Sequence, residues 1–340
     1  MDRTKVLLLF GGESSEHDVS ISSARNVYAA IDDDKFTVQL CYIDRQGKWW
    51  LLESLDQNID TSSAPQLLPV LGGKGFVTMP DQIVIKPDVV LPILHGRNGE
   101  DGSVQGLSQL LHIPIVGCET TSSGTAMNKL ATKEILKANN IPVIPYEVHR
   151  VYDAIPDFGK LTMRLGSPLF VKPARSGSSV GVSKVRSGSE FKEALEEAHK
   201  HDSIVLIEQA ILGRELEVAV LGTPPFHRIS GVGEVVPGED FYTYDDKYAS
   251  GSSAKVVIDP ELGAEIKERI LNMTARIFEM LDCKGLARVD FMLSEGGELY
   301  LMEVNTMPGF TNISMYPKLW RQQGISYPQL IEQLIEDALR

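Results

Sequence analysis

Near the C-terminal end of this chain a guanidinium, two carboxylates and an amide recur at alternate positions, Arg288 and Asp290 in one run and Glu303 and Asn305 in the next. The intervening positions are apolar and Gly296-Gly297 separates the runs, a pattern that predicts a β-hairpin. With those glycines as a two-residue turn, Asp290 stands opposite Glu303 and Arg288 opposite Asn305, all on one face. Val289, Phe291 and Leu293, with Tyr300, Met302 and Val304, then make the core face. Two facing carboxylates repel unless a cation lies between them. The oxygen donors Asp290, Glu303 and Asn305 suit magnesium or manganese, which keep their remaining positions for water and substrate phosphate. The competing reading is a solvated strand face on which Arg288 merely neutralises Asp290. Register carries the argument, since a three-residue turn would set the acids against Met302 or Val304.

Other stretches carry groups that hold phosphate or an amino acid. Lys172 precedes the small loop Ser176-Gly-Ser-Ser-Val-Gly181, whose backbone N–H groups can approach phosphate oxygens. It is not a Walker loop, because the lysine comes before the glycines; a plain hairpin turn is the alternative. Glu16 follows Gly11-Gly12 at a helix start, where the dipole favours its charge and it could hold a substrate ammonium. A simple first-turn acid fits equally. His95 and Glu100 lie in a loop dense in glycine and charge after an apolar strand, where α/β folds bind ligands. Glu208 and Glu215 fall at strand edges suited to a ribose or adenine. The aromatic, polar segment 237–253 reads as a lid, with Lys247 and Tyr248 facing substrate.

The elements that must position these groups follow from composition and periodicity. A chain of 340 residues exceeds one ordinary core, so two or three closely packed domains are expected. A net charge of -13 argues against a protein that grips a nucleic-acid backbone. The three cysteines are far apart and in no metal-binding spacing, which fits buried thiols in a reducing, cytoplasmic setting. No apolar run approaches membrane-spanning length. Strand 5–10, a glycine loop and a helix from about residue 17, which Ser14 or Ser15 can cap, open a parallel α/β unit. Adjacent glycines lack the G-x-G-x-x-G spacing, so a dinucleotide fingerprint is rejected. Further on come strand 88–94, helix 103–111, a helix over 126–139 carrying Lys129 and Lys133, and strands 167–172 and 182–185. Helix 187–201, strands 204–209 and 215–221, and core helices 260–282 and 328–339 complete the reading.

Taken in order, Gly11-Gly-Glu-Ser-Ser-Glu16, His95-Gly-Arg-Asn-Gly-Glu-Asp-Gly102, Lys172-Pro-Ala-Arg-Ser-Gly-Ser-Ser179, Tyr244-Asp-Asp-Lys-Tyr248, Arg288-Val-Asp290 and Glu303-Val-Asn-Thr-Met-Pro-Gly-Phe-Thr311 resemble the D-alanine-D-alanine ligases of the ATP-grasp superfamily. The likeness spans essentially the whole chain. It implies an α/β fold, α+β in the ATP-binding part: an N-terminal parallel-sheet domain over 1–117, a central ATP-grasp subdomain over 118–212 and a C-terminal one over 213–340, with ATP between two antiparallel sheets.

The resemblance also implies the chemistry. One D-alanine carboxylate takes the γ-phosphoryl of ATP, a second D-alanine amine displaces phosphate from the acyl phosphate, and two divalent ions, magnesium or manganese, accompany the nucleotide. By motif, Lys129, Lys172 and Lys247 contact phosphates, and Glu208 and Glu215 hold the adenosine part. Glu16 pairs with the first ammonium and links through Ser178 to Tyr248. Arg288 and the Gly309 N–H stabilise the tetrahedral oxyanion, Ser314 holds the second carboxylate, and His95 orients or deprotonates the incoming amine. Tyr248 resembles the dipeptide-forming members, and Met315 is apolar where D-serine-using relatives carry an arginine. A cytoplasmic homodimer serving peptidoglycan synthesis is implied. D-alanine-D-serine or D-alanine-D-lactate ligation, another ATP-grasp carboxylate-amine ligase, and a non-catalytic nucleotide-binding module are the alternatives.

Overall fold

A computed structural model describes residues 3–236, 255–311 and 313–340; the expected lid, with Lys247 and Tyr248, lies outside the described residues. Strand β1 (Thr4–Gly11) is buried along its apolar run and pairs in parallel with β2 (Phe36–Ile43) on one side and β7 (Val89–Ile93) on the other. Helix α1 (His17–Ala30) makes the crossover from β1 to β2. Strands β3 (Trp49–Leu52), β4 (Gln66–Val70), β5 (Gly75–Met79) and β6 (Val84–Ile85) extend the sheet by antiparallel pairing, giving the order β6-β5-β4-β3-β2-β1-β7. Only its three-strand end is parallel, because short turns can join only antiparallel neighbours. Helix α2 (Ser103–Leu111) follows the His95 loop.

Two antiparallel sheets come next. One has the order β10-β9-β11-β8, from β8 (Tyr146–Arg150), β9 (Leu169–Pro173), β10 (Ser183–Val185) and β11 (Ile204–Gln209). The other has the order β14-β13-β12-β15-β16, from β12 (Gly213–Leu221), β13 (Arg228–Val236), β14 (Lys255–Ile258), β15 (Leu286–Ser294) and β16 (Leu299–Asn305). Alternation in β9 and β11 sends Leu169, Val171, Val205 and Ile207 into a core shared with α5 (Phe158–Leu165) and α6 (Gly188–His199). Helix α7 (Ala264–Met280) buries Ile270, Met273, Ile277 and Phe278 against the larger sheet. Helices α8 (Met315–Gln322) and α9 (Tyr327–Ala338) share one core with α1 and β1, and that core also takes in Ala219 and Leu221 of β12. The N-terminal sheet and the C-terminal ribbon are thereby packed through common side chains.

Three local differences from the sequence reading have physical causes. The expected helix over 126–139 is two helices, α3 (Thr120–Met127) and α4 (Lys129–Ala138). Asn128 between them is extended, and its side chain accepts from Ala131 N at 3.2 Å, so α4 starts with a cap at Lys129. Glu16 is the N-cap residue of α1, and Ser14 Oγ accepts from Glu16 N at 3.1 Å while donating to the His95 carbonyl at 2.7 Å, tying the helix start to the His95 loop.

The hairpin turn is the third. Gly297 N donates to Ser294 O at 3.0 Å and Ser294 N to Glu298 O at 2.8 Å, which encloses three residues, with Gly297 in the left-handed region at φ 85°. Leu293 then faces Leu299 and Phe291 faces Leu301, one place off the expected register, so Leu299 and Leu301 join the core face in place of Tyr300 and Met302. A bulge between Asp290 and Phe291 on one strand, opposite Met302 on the other, restores the count. Asp290 is opposite Glu303 and Arg288 opposite Asn305 after all.

Candidate active site

The end of β16 and the loop after it face a cleft of about 760 Å³. Of the residues singled out from sequence, Glu16, His95, Lys129, Ser178, Glu215, Arg288, Asp290, Glu303, Asn305, Gly309, Ser314 and Met315 all line it. They come from every part of the chain: the β1–α1 and β7–α2 loops, the start of α4, the β9–β10 loop, β12, the ribbon, and the entry to α8. Lys172 and Glu208 do not line this cleft; they sit in the smaller sheet beside it.

The centre of the ribbon is an electrostatic chain. Arg288 Nε and Nη2 donate to Asp290 Oδ1 and Oδ2 at 2.8 and 2.7 Å, and Nε is also 3.1 Å from Glu217 Oε2. Burial alone would loosen the Arg288 proton, but Asp290 and Glu217 outweigh it and hold its pKa well above the ordinary arginine value. Glu217 lies on β12 directly across from Asp290, and the sequence reading passed over it. Its signal was present in Glu215-Leu-Glu217, but only the β12–β15 pairing shows which of the two glutamates meets Arg288.

Lys129 joins the ribbon to the small loop. Its Nζ donates to the Ser176 carbonyl at 2.7 Å and lies 3.2 Å from Glu303 Oε2, and its backbone N donates to Ala174 O at 2.9 Å. Ser178 and Ser179 have φ of 48° and 59°, and Val180 N donates to Gly177 O at 3.0 Å and Val182 N to Ser179 O at 3.2 Å, which curls the loop through two tight turns. Opposite, the Glu16 carboxylate packs where Gly96 and Gly177 lack side chains: a Cβ on either would stand 2.9 or 3.6 Å from Oε2. Glu16 thus reaches the residue before Ser178, while Tyr248, the third member of that expected link, lies outside the described residues.

His95 is 3% exposed. Its Nδ1 donates to the Met307 carbonyl at 3.1 Å, with Glu100 Oε1 at 3.8 Å, and Nε2 is 3.3 Å from Ser23 Oγ. Burial opposes its protonation, but Glu100 and Glu16 raise its pKa above the usual value. With both ring nitrogens engaged, the geometry suits His95 to tying the N-terminal sheet to the loop that carries Gly309. Gly309 in turn makes room for Ser314, whose Oγ would be 3.1 Å from a Cβ there. Ser314 Oγ accepts from Thr311 N at 3.2 Å and stands at the N-terminus of α8, where an anion is stabilised.

Glu208 is not at an exposed strand edge. It is 3% exposed, with Lys172 Nζ 2.7 Å from Oε2 and Lys133 Nζ 2.9 Å from Oε1. Burial pushes its carboxyl up, yet the two lysines bring the pKa below the ordinary range.

Metal fit can be judged from the donor set. Among the described residues no three histidine, cysteine or acidic side chains converge. Asp290, Glu303 and the amide of Asn305 share one face of the ribbon, in keeping with ions that take one or two carboxylates and leave the rest to water and phosphate. The described lining of the cleft carries Glu16, Asp18, Glu100, Glu215, Glu217, Asp290 and Glu303 against Lys129, Arg288 and Lys318. A polyanionic phosphate chain entering such a cleft would require added positive charge. The residues present therefore fit a divalent ion.

Residues 5–118 match the family described as D-ala D-ala ligase N-terminus, and residues 135–336 the one described as D-ala D-ala ligase C-terminus. The chain is 42% identical over 352 residues to D-alanine--D-alanine ligase A of Chromobacterium violaceum, covering 100% of this chain and 96% of that one. Among solved structures, the D-alanine-D-alanine ligase from Coxiella burnetii superposes with a TM-score of 0.89 at 33% identity, covering 100% of this chain and 94% of that chain. The VanG D-Ala:D-Ser ligase from Enterococcus faecalis superposes with a TM-score of 0.90 at 34% identity, covering 99% and 100%. The three-sheet architecture is the ATP-grasp fold. No helix among the described residues is long and apolar enough to cross a membrane.

Proposed function

Because the chain belongs to the D-alanine-D-alanine ligase family, we propose that its cleft joins two D-alanines into D-alanyl-D-alanine for peptidoglycan synthesis, with ATP converted to ADP and phosphate. The observation that carries this reading is the position of Lys129, held between the Ser176 carbonyl and Glu303 at the mouth shared by the small loop and the acidic ribbon. A carboxylate is a poor electrophile until one oxygen becomes a leaving group, and phosphorylation makes it one.

In this reading the loop N–H groups around Ser178, with Lys129 and Lys172, hold the nucleotide phosphates, and Lys247 joins them. Glu208 and Glu215 hold the adenosine part. Asp290, Glu303 and Asn305 hold magnesium or manganese, which neutralises charge on the transferring phosphoryl group. Glu16, stabilised at the start of α1, takes the ammonium of the first D-alanine and links through Ser178 toward Tyr248. Arg288 stays charged because of its two carboxylate partners, and with the Gly309 N–H it stabilises the oxyanion formed when the second amine attacks. Ser314 and the α8 N-terminus take the second carboxylate. His95 keeps the Gly309 loop in place through the Met307 carbonyl and so orients the incoming amine. Three unpaired, buried cysteines fit a reducing cytoplasm, and we read the working form as a homodimer.

The likeness to VanG makes D-serine the rival second substrate. Met315 favours D-alanine, since a buried thioether offers a hydroxymethyl group no strong hydrogen-bond partner. The deciding experiment measures phosphate release and product mass with ATP across a panel of D- and L-amino acids and D-lactate. Expected is efficient turnover with D-alanine alone. Faster joining of D-serine or D-lactate to D-alanine, or turnover with L-amino acids only, overturns the reading.

A further inference from the structure

The reaction gives no role to the buried Lys133, which lies on α4 one turn after Lys129 and is 1% exposed. Three neighbours enclose its ammonium: Glu208 Oε1 at 2.9 Å, the Ile144 carbonyl at 3.3 Å, and the Tyr146 ring with its centroid 5.2 Å away. Lys172 approaches the same carboxylate from β9, 2.7 Å from Oε2, but its side chain is 14% exposed where that of Lys133 is 2%. Lys172 faces Leu206 across the β9–β11 pair and Glu208 faces Phe170, so lysine and carboxylate are diagonal neighbours on one face. One lysine is therefore locked in place, and the other can reach away from the sheet.

In this arrangement Lys172 cannot neutralise Glu208 and grip a nucleotide phosphate at full strength together. If it were the carboxylate's sole partner, leaving would strand a buried charge, which proteins avoid strongly. We infer that Lys133 is a positioning residue: it is the standing counter-ion of Glu208, and its presence releases Lys172 to the phosphates when nucleotide enters. The inference rests on the reading above that Lys172 contacts phosphate. It assigns Lys133 no contact with substrate. Lys129, one turn earlier on the same helix, faces the cleft, so α4 presents one lysine to the reaction and one to the carboxylate behind it.

The consequence is specific to the phosphate end of the ligand. Adenosine leaves Lys172 on Glu208, whereas ATP requires it to leave; any effect passed through Glu208 to the adenosine part is common to both ligands and cancels in the ratio of their affinities. The test is calorimetric titration of ATP and of adenosine into the full chain with magnesium, reading the ratio of the two affinities. Lys172→Met serves as reference and must lower the ratio; an unchanged ratio there refutes the phosphate reading of Lys172 itself. Given that, Lys133→Met is expected to lower the ratio by roughly 10- to 100-fold, the worth of a hydrogen bond to a charged group. The pair Lys133→Met with Glu208→Gln, which leaves no stranded carboxylate and guards against a folding defect in the single variant, restores the ratio toward wild type. Equal weakening of adenosine and ATP in Lys133→Met, no weakening at all, or a double variant with the same low ratio as the single one overturns the inference.

Discussion

Gly233 offers a sharp test of how the second-substrate pocket is shaped. It lies on β13 between Glu217 on β12 and Ile258 on β14. A Cβ built there would be 2.4 Å from Met315 Sδ, 2.8 Å from Met315 Cε and 3.3 Å from Leu319 Cδ2, against ordinary contacts of 3.4–4 Å. In Gly233→Ala the thioether must therefore retreat by at least about 1 Å, and the cleft that Met315 lines offers it room. Because the displaced atoms end a flexible side chain, the cost falls at or below the low end of the about 1–3 kcal/mol typical of overpacking. The same displacement takes about a methyl group's room from the pocket that Met315 lines, and a methylene misfit in a small apolar pocket changes discrimination by roughly 10- to 200-fold. The affected constant is the KM for the second D-alanine, because the atoms nearest a Cβ at 233 belong to Met315 and Leu319 and none to Glu16. Initial rates of phosphate release, with D-alanine varied through both binding phases and then ATP varied, separate the three constants. Adding Met315→Ala to Gly233→Ala is expected to recover the second-site KM. Equal rises in both D-alanine constants, or a lowered melting temperature with the second KM untouched, would show that Met315 moves elsewhere and does not set this pocket.

Two further outcomes follow from the same geometry. Glu303→Gln is expected to lower turnover by about 10²–10³-fold, the range for removing one charged group from a reacting centre, while costing under about 1 kcal/mol of stability. Its partner Lys129 keeps the Ser176 carbonyl; manganese binding with ADP, followed by electron paramagnetic resonance, should weaken in parallel, and parallel losses of stability and rate would remove the metal role. For acid sensitivity, Lys172 and Lys133 hold the folded pKa of Glu208 below its ordinary value of 4.5. The folded state then binds fewer protons than the unfolded one, so the stabilisation is complete above that value and drains away as pH falls through and below it. The melting-temperature gap between wild type and Glu208→Gln should shrink between about pH 7 and about pH 3.5, and a constant gap contradicts the pairing.

Alternation made the ribbon legible before any coordinates: Arg288, Asp290, Glu303 and Asn305 share one face because side chains alternate sides at every residue. The route to that register was not legible. Gly296-Gly297 reads equally as a two-residue or a three-residue turn, and burial of Leu299 and Leu301 against Leu293 and Phe291 selects the longer one, leaving a bulge at Met302 to realign the acids. The break at Asn128 was hidden in the same way. Apolar periodicity continues across it, while the cap that restarts the helix is a hydrogen bond between a side chain and a backbone nitrogen three residues on.

By itself the sequence determined the sheet-forming segments, the acidic face of the ribbon, the small Ser-Gly loop and, through the order of its motifs, the ligase family. These are local quantities: residue type, spacing and period. Only the tertiary structure decided that Glu217 shares Arg288 with Asp290, that Lys133 and Lys172 share Glu208, and that Met315 lies over a glycine. Each of those pairs joins segments 75 or more residues apart, or strands whose pairing no local period encodes. Charge and shape complementarity between such segments exists only once β9 has paired with β11, β12 with β15, and α8 has packed over β13.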